Sequence, residues 1–236
     1  MSFKVKQVAR EKYPANVDDV LGAGLLYAIG SVDLLNRPAI GICGSRNASP
    51  NALRYAYEFG EEAARQGVIV VSGYARGVDR QAHAGALEAG GATIAVLPEG
   101  IDGFRVVSDM RDLIQPQENF LALSMFEPSA PWTVWRAMAR NKLIVALSAA
   151  LFVVEAGERG GTINAAYESV RQGKRVYAIA YERDLPGREG NRKLLAASAI
   201  PLRHKRDLRN ALEEAMSHPP AEVRQLVLTL TGQRDE

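Results

Sequence analysis

The chain has 236 residues, of which 47% are hydrophobic and 24% charged, and this fits one large α/β domain with a buried core. Its formal net charge of +2 excludes a globally cationic surface, so any binding of nucleic acid has to depend on a local basic patch. The single cysteine, Cys43, excludes an internal disulfide and fits a reducing compartment. No apolar run approaches the roughly 20 residues of a membrane span. The N-terminus also lacks a signal-peptide core, so the sequence predicts a cytoplasmic protein with no membrane partner.

Residues 1–36 are interpreted as a lead-in segment that packs on the core, which begins at residue 37. The apolar run Ala39 to Cys43 is too short for a buried helix and ends at a glycine, which favours a buried parallel strand. The turn Gly44-Ser45-Arg46 leaves that strand. Ser49 and Pro50 then predict the start of a helix, as an N-cap and a first-turn proline.

A second strand, glycine turn and helix follow directly. The run Val68 to Ser72 is apolar and β-branched up to its final serine, and it leads into Gly73-Tyr74-Ala75-Arg76-Gly77. Asp79 is interpreted as the N-cap of an alanine-rich helix that ends at Gly90 and Gly91. His83, on this helix, is predicted to be a structural hydrogen-bonding residue, because no nucleophile accompanies it.

The alternation of strands and helices continues to about residue 202. Further strands are predicted at 92–97, 121–126, 151–155 and 175–180, with helices at 133–146 and 163–172. A third glycine turn, 156–162, contains Gly160, Gly161 and Thr162. Residues 181–191 are rich in charge, glycine and proline, which predicts an exposed mobile loop, and residues 203–236 predict a polar helical tail.

These elements predict a doubly wound, Rossmann-like α/β fold with a mostly parallel sheet, helices on both faces and a short helical C-terminal tail. Right-handed crossovers place the glycine turns on one edge, where helix N-termini favour an anion. A dinucleotide site would have an acidic residue after the second strand, but Ser72, Gly73 and Arg76 stand there instead. Metal-ligand spacing and a Walker loop are both missing, so no cofactor is predicted.

The motifs resemble the DNA-processing protein A family, also called DprA or Smf. The resemblance is carried by LLYAIGSVDLLNRPAIGICGSRNAS, VVSGYARGVDRQAHAGALEAGGATIAVLPEGID and ARNKLIVALSAALFVVEAGERGGTINAA, and it covers roughly residues 13–202. It implies the Rossmann-like core of that family, without a winged-helix domain. It further implies a homodimer that binds single-stranded DNA, passes it to a RecA-type recombinase during natural transformation, and is not an enzyme.

The resemblance also implies a set of backbone-phosphate contacts. They are Gly44, Ser45 and Arg46; Ser72, Gly73, Arg76 and Gly77; Arg140, Asn141 and Lys142; and Gly160, Gly161 and Thr162. Small residues and backbone N–H groups hold phosphate without reading a base, and the cations make such binding salt-dependent. Lys142 stands where the family usually has arginine, which replaces a bidentate fork by a point charge.

Several alternatives remain open. Gly160-Gly161-Thr162 with Glu168 loosely resembles the turn of nucleoside-monophosphate phosphoribohydrolases, so a nucleotide-binding or nucleotide-hydrolysing protein of the same superfamily is the second hypothesis. A third is an interaction protein that acts through its C-terminal tail. The basic run 203–209 is interpreted as a solvated helix start that could extend a nucleic-acid track. Trp132 and Trp135 are interpreted as core or loop anchors, with base stacking as the lesser option.

Overall fold

The apolar runs of the sequence form one nine-stranded sheet in a computed structural model of the chain, which describes residues 4–183 and 186–217. The strands are β1 (Lys6–Gln7), β2 (Tyr27–Gly30), β3 (Ala39–Cys43), β4 (Ile69–Ser72), β5 (Thr93–Val96), β6 (Phe120–Ser124), β7 (Ala150–Val153), β8 (Arg175–Ile179) and β9 (Ile200–Leu202). The helices are α1 (Ala15–Leu21), α2 (Pro50–Arg65), α3 (Val78–Glu88), α4 (Val134–Ala146), α5 (Gly161–Arg171), α6 (Glu189–Ala196) and α7 (Lys205–Ser217).

The sheet is doubly wound, as predicted. Its order is β1-β2-β6-β5-β4-β3-β7-β8-β9, and the strands from β3 to β9 all pair in parallel. Only β1 and β2 pair antiparallel, at one edge. The chain winds outward from β3 to β6 and then returns to place β7 on the other side of β3. The crevice beyond β3 and β7 is therefore the topological switch point, where ligands bind in folds of this kind.

Helices cover both faces of the sheet. Side chains of α2, α3 and α7 share one apolar cluster with β3, β7 and β8. On the opposite face, α1 and α4 pack over β3 to β6, and α5 and α6 pack over β7 and β8. The backbones of α2 and α3 touch: a Cβ on Gly85 would lie 2.0 Å from the Tyr57 carbonyl oxygen. This close approach holds the first two glycine turns in a fixed relation.

The predicted core elements are confirmed to within a few residues, but the sequence missed β1, α1, β2, α6 and β9. It also placed an exposed loop over 181–191, and this is wrong for its last part, because Arg188 and Asn191 are buried. Asn191 accepts a hydrogen bond from the Ala156 N–H and donates to the carbonyls of Val154 and Ile179. The side-chain amide of Asn191 therefore pairs with backbone groups at the ends of β7 and β8 and does not face water.

Two other expectations change. Helix α3 begins at Val78 with Gly77 as its N-cap, so the Asp79 cap was wrong; the Asp79 carboxylate instead accepts from the Ala75 N–H, at 3.3 Å. Residues 205–217 form α7, whose Leu208 and Leu212 are buried against the sheet. The remainder of the predicted tail, residues 218–236, lies outside the described residues. Within the described part of the chain, no helix combines the length and apolarity needed to cross a bilayer.

Candidate functional site

A cavity of about 450 Å³ opens at the switch point between β3 and β7. Its walls come from the turns after β3, β4 and β7, from α4 and from the start of α5. Eight of the thirteen residues predicted from the sequence line it: Gly44, Ser45, Arg46, Gly73, Arg140, Asn141, Gly161 and Thr162. Turns that are up to 118 positions apart in the chain, from Gly44 to Thr162, thus meet around one space.

The other five predicted residues lie elsewhere. Ser72 is fully buried, and its hydroxyl donates to the Ile42 carbonyl at 2.6 Å. Arg76 and Gly77 line a neighbouring groove of about 360 Å³, which shares Arg46 with the cavity. Gly160 and Lys142 are exposed and are not part of either lining.

The first turn is fixed by backbone contacts on both sides. The Ser45 N–H donates to the Glu155 carbonyl at 2.7 Å, and the Ser45 carbonyl accepts from the Val78 N–H at 3.2 Å. Gly77 has φ +91°, and a Cβ there would lie 2.3 Å from the Ser45 carbonyl oxygen. Only glycine therefore lets the second turn approach the first this closely.

The buried ion pair of Glu155 and Arg188 also stabilises the Gly44-Ser45-Arg46 turn. The Glu155 carboxylate accepts from the Ser49 N–H at 2.8 Å and from the Ser49 hydroxyl at 2.6 Å. Arg188 lies 3.4 Å from that carboxylate, and its guanidinium stacks on Tyr181, 3.8 Å from the ring centroid. These contacts tie the end of β7 to the start of α2, so the Gly44-Ser45-Arg46 turn, which leads from β3 into α2, is held rigidly.

Arg140 supplies buried charge at the back of the cavity. It is 5% exposed, and one of its terminal nitrogens donates to the Val96 carbonyl at 2.7 Å, while Nε has no partner among the described residues. Burial lowers the pKa of Arg140, and the nearby Asp79 carboxylate opposes that effect. Burial raises the pKa of Asp79 in turn. With Arg46 and the exposed Arg159 at the mouth, the lining is basic overall.

The start of α5 completes the anion-binding character of the cavity. No side chain caps this helix, whose N-cap is Gly160, so its first N–H groups stay open to a guest. Asn141 fixes the helix start to α4 by donating to the Gly161 carbonyl at 3.0 Å and to the Asn164 side chain at 3.1 Å. A phosphate group fits an uncapped helix N-terminus beside arginines.

Several residues that the sequence did not assign to the site also line the cavity. Trp132 and Val134 stand at its mouth, and Cys43 lies at its back. Trp132 and Trp135 are 47% and 69% exposed, so of their interpretation as core or loop anchors the core part is wrong. Their position just before Arg140 and Asn141 in the chain was the available signal. Cys43 is 8% exposed, and burial raises the pKa of its thiol.

Glu168, which linked Gly160-Gly161-Thr162 to phosphoribohydrolases, does not face the cavity. It lies towards the far end of α5, where it accepts from Gln172 at 3.0 Å and pairs with Arg171 at 3.8 Å. Among the described residues, no cluster of three or more histidine, cysteine, aspartate or glutamate side chains could hold a metal ion.

Comparison with known sequences gives consistent matches. The model of the family described as DNA recombination-mediator protein A matches residues 4–213. DNA processing protein DprA of Streptococcus pneumoniae is 32% identical over 168 residues, which are 71% of this chain and 59% of that protein. Protein Smf of Escherichia coli is 34% identical over 178 residues, 75% of this chain and 48% of the relative. DprA of Bacillus subtilis is 27% identical, and the match covers 88% of this chain and 70% of that protein. The chain thus spans about half to two thirds of these relatives.

Solved structures match over most of the chain. The X-ray structure of DprA from S. pneumoniae has a TM-score of 0.76 and 28% identity, covering 88% of this chain and 74% of that one. DprA from Helicobacter pylori, a structure that concerns its single-stranded DNA binding mode, has a TM-score of 0.77 at 24% identity, with 90% and 97% covered. The molybdenum cofactor carrier protein of Chlamydomonas reinhardtii shares the fold at a TM-score of 0.54 and 22% identity, with 78% and 100% covered.

Proposed function

Because the chain belongs to the DNA recombination-mediator protein A family, we propose that it binds single-stranded DNA by the phosphate backbone and acts in DNA uptake or recombination. The observation that carries this proposal is the meeting of three glycine turns, Arg46 and the buried Arg140 in one basic cavity at the switch point. The family member from H. pylori provides a precedent for single-stranded DNA as ligand.

In this proposal, one phosphate occupies the cavity. The uncapped N-terminus of α5 at Gly161 and Thr162, the Gly44-Ser45 turn and Arg140 surround it. Asn141 acts by fixing the start of α5, and the buried Ser72 by supporting the turns through Ile42. Such contacts fix the path of a strand without reading its sequence.

The strand then continues into the neighbouring groove. Arg46 lines both the cavity and this groove, which also contains Arg76 and Gly77, so it can bridge two successive phosphates. Gly160 and Lys142 lie on exposed surface outside the two linings and add to the path there. Because several cations contact phosphates, affinity is expected to fall steeply with salt.

The test is a titration of a fluorescently labelled 20-nucleotide deoxythymidine strand, followed by polarisation at several salt concentrations. Replacing Arg46 and Arg76 by alanine together should weaken binding at least tenfold at low salt. It should also reduce the slope of log K against log salt by about 0.7 for each phosphate that the protein no longer neutralises.

Arg171→Ala provides the matched control, since Arg171 is an exposed arginine at the far end of α5. It should bind as the wild type does. Equal affinity of the double variant and the wild type, or no binding at low salt by any of the proteins, would contradict the proposal.

The same proposal includes a homodimer and a RecA-type recombinase as partners, with no catalysed reaction. Light scattering at increasing protein concentration tests the dimer. Loading of a recombinase onto DNA coated by the protein tests the second partner. A monomer at all concentrations, or unchanged loading, would remove the corresponding partner and leave DNA binding untouched.

A further inference from the structure

Exposed apolar side chains are concentrated beside the cavity. Four large hydrophobic residues are exposed among those described, and three of them, Trp132, Val134 and Trp135, lie within four positions at the start of α4. Trp132 and Val134 line the cavity itself. We call Trp132 and Trp135 the tryptophan rim. A patch of this kind next to a basic pocket indicates a ligand with both charged and flat apolar parts.

The rim is held in place by cations and by one further ring. The Arg46 guanidinium lies 5.7 Å from the centroid of the Trp132 ring. The Trp135 ring lies 6.2 Å from that of Phe126, over which Arg136 stands at 5.6 Å. Arg136 also donates to the Pro131 carbonyl at 2.7 Å, which fixes the segment before α4. Both indoles are thus positioned and yet remain about half exposed or more.

We propose that the tryptophan rim stacks unpaired bases of the strand whose phosphates the cavity holds. This inference rests on the proposed function and assigns to it a selectivity for single strands over duplex. An indole offers a phosphate only its single N–H donor, whereas every base has a face that stacks on the whole aromatic ring. Paired bases in a duplex keep their faces stacked on one another, so only an unpaired strand can satisfy the rim and the cavity together.

A second copy of this chain fits the rim less well than a base does. A stable interface needs about 800 Å² from each partner, whereas two partly exposed indoles and a valine offer a fraction of that area. A symmetric contact at this point would also bring Arg46, Arg136 and Arg159 of each copy towards the same arginines of the other. The charge at the rim therefore favours an anionic ligand.

The chain carries its own probe for this proposal, because Trp132 and Trp135 are its two tryptophans. Intrinsic fluorescence should be quenched when a 20-nucleotide deoxythymidine strand binds. An abasic strand of equal length and charge should bind about tenfold or more weakly and quench little, and a duplex should behave like the abasic strand. Alanine in place of both tryptophans should weaken binding of the thymidine strand to the abasic level, whereas Trp132→Phe with Trp135→Phe should preserve most of the affinity.

The outcomes separate the two proposals. If the thymidine and abasic strands bind equally well and the alanine variant binds like the wild type, the rim does not stack bases, while phosphate binding stands. If neither strand binds at low salt, both proposals fail. A blue shift of the emission that grows with protein concentration in the absence of DNA would show that the rim is an interface between copies, and it would overturn the inference.

Discussion

Gly73 determines whether Arg140 can lie at the back of the cavity. A Cβ on Gly73 would stand 1.9 Å from a terminal nitrogen of the Arg140 guanidinium. Since that guanidinium is buried and donates to the Val96 carbonyl, it has little room to move. Because Gly73 has no side chain, the charged Arg140 guanidinium can lie at the back of the cavity.

Gly73→Ala should therefore displace Arg140 and weaken binding of single-stranded DNA about tenfold, at a stability cost of about 1–2 kcal/mol for the broken hydrogen bond. The measurements are the polarisation titration and urea unfolding. Gly157→Ala is the control, since Gly157 lines the same cavity and a Cβ there meets nothing within 4 Å. Unchanged affinity of Gly73→Ala would show that Arg140 does not contribute to binding.

His83 is a second residue whose role is clear from its contacts. The Thr93 hydroxyl donates to the Val70 carbonyl at 2.7 Å, so its oxygen accepts from His83 Nδ1–H. Nε2 is then the unprotonated nitrogen, and it has no partner among the described residues. The prediction of a structural hydrogen-bonding histidine is confirmed. Burial lowers the pKa of His83 to about 3, and the charge of Arg140 adds to the effect.

The depressed pKa of His83 makes stability depend on pH. Its usual pKa is 6.5, so its contribution is complete above pH 6.5 and is lost as the pH falls towards 3. Between pH 7.5 and 5, the wild type should lose about 2 kcal/mol more unfolding free energy than His83→Gln, which keeps a donor for Thr93 but cannot take up a proton. Urea unfolding at the two pH values measures this difference. The same pH dependence in both proteins would contradict it.

Among the elements, helix α4 is capped at its C-terminus by a residue that the sequence does not point to. Lys174 is buried, and its Nζ donates to the carbonyls of Val145, Ala146 and Ser148 at 2.6, 2.9 and 2.7 Å. One lysine from the turn before β8 thereby satisfies the last carbonyls of the helix that carries Arg140. The position of the site's buried charge depends on this cap.

Lys174→Met should leave those carbonyls unpaired and lower the free energy of unfolding by roughly 3 kcal/mol. Chemical denaturation measures the loss, and Lys193→Met, a change at an exposed lysine on α6, should be nearly neutral. A loss below about 1 kcal/mol would mean that other groups take over the cap.

The sequence predicted some elements well because they signal locally. Strands β3 and β7 are uninterrupted apolar runs, β4, β5 and β8 are apolar except for one residue at an end, and Ser49 caps α2 through the Ala52 N–H as expected. Helix α6 was missed because Arg188 and Asn191 look solvent-facing until Glu155 and the end of β7 are placed beside them. A buried polar residue whose partner is more than 30 positions away leaves no local signal.

At the scale of the whole molecule, the convergence of the glycine turns followed from topology alone. Parallel strands with right-handed crossovers bring their ends to one edge, so the sequence could place the glycine turns that line the cavity, whereas Arg140 and Asn141 on α4 came from the family resemblance. It could not show that Ser72 points into the core or that Trp132 stays exposed. Those depend on how far each strand end protrudes past its neighbours, which periodicity does not encode.

Helix α7 belongs to the core of the molecule rather than to an appended tail. Leu208, Leu212 and Ala215 are buried in the cluster that contains Phe152 and Tyr177. Deleting the chain from Arg203 would therefore remove part of the core and should destabilise the whole fold.

Leu212→Ala should lower the free energy of unfolding by about 2–5 kcal/mol, because a fully buried side chain leaves a cavity under the sheet. Asn210→Ala, a change at an exposed position of the same helix, is the control. If Leu212→Ala costs less than about 1 kcal/mol, α7 is docked only loosely on the core.

Cys43 is a natural chemical probe of access to the cavity. It is the only thiol in the chain, it lies at the back of the cavity beneath the Gly44-Ser45 turn, and its raised pKa leaves almost no reactive thiolate while the fold is closed. We therefore expect a small thiol reagent to modify Cys43 slowly in the free protein, and more slowly still when a bound strand fills the cavity. The modification rate of Cys43 with and without a bound strand then measures occupancy of the cavity without any label on the DNA.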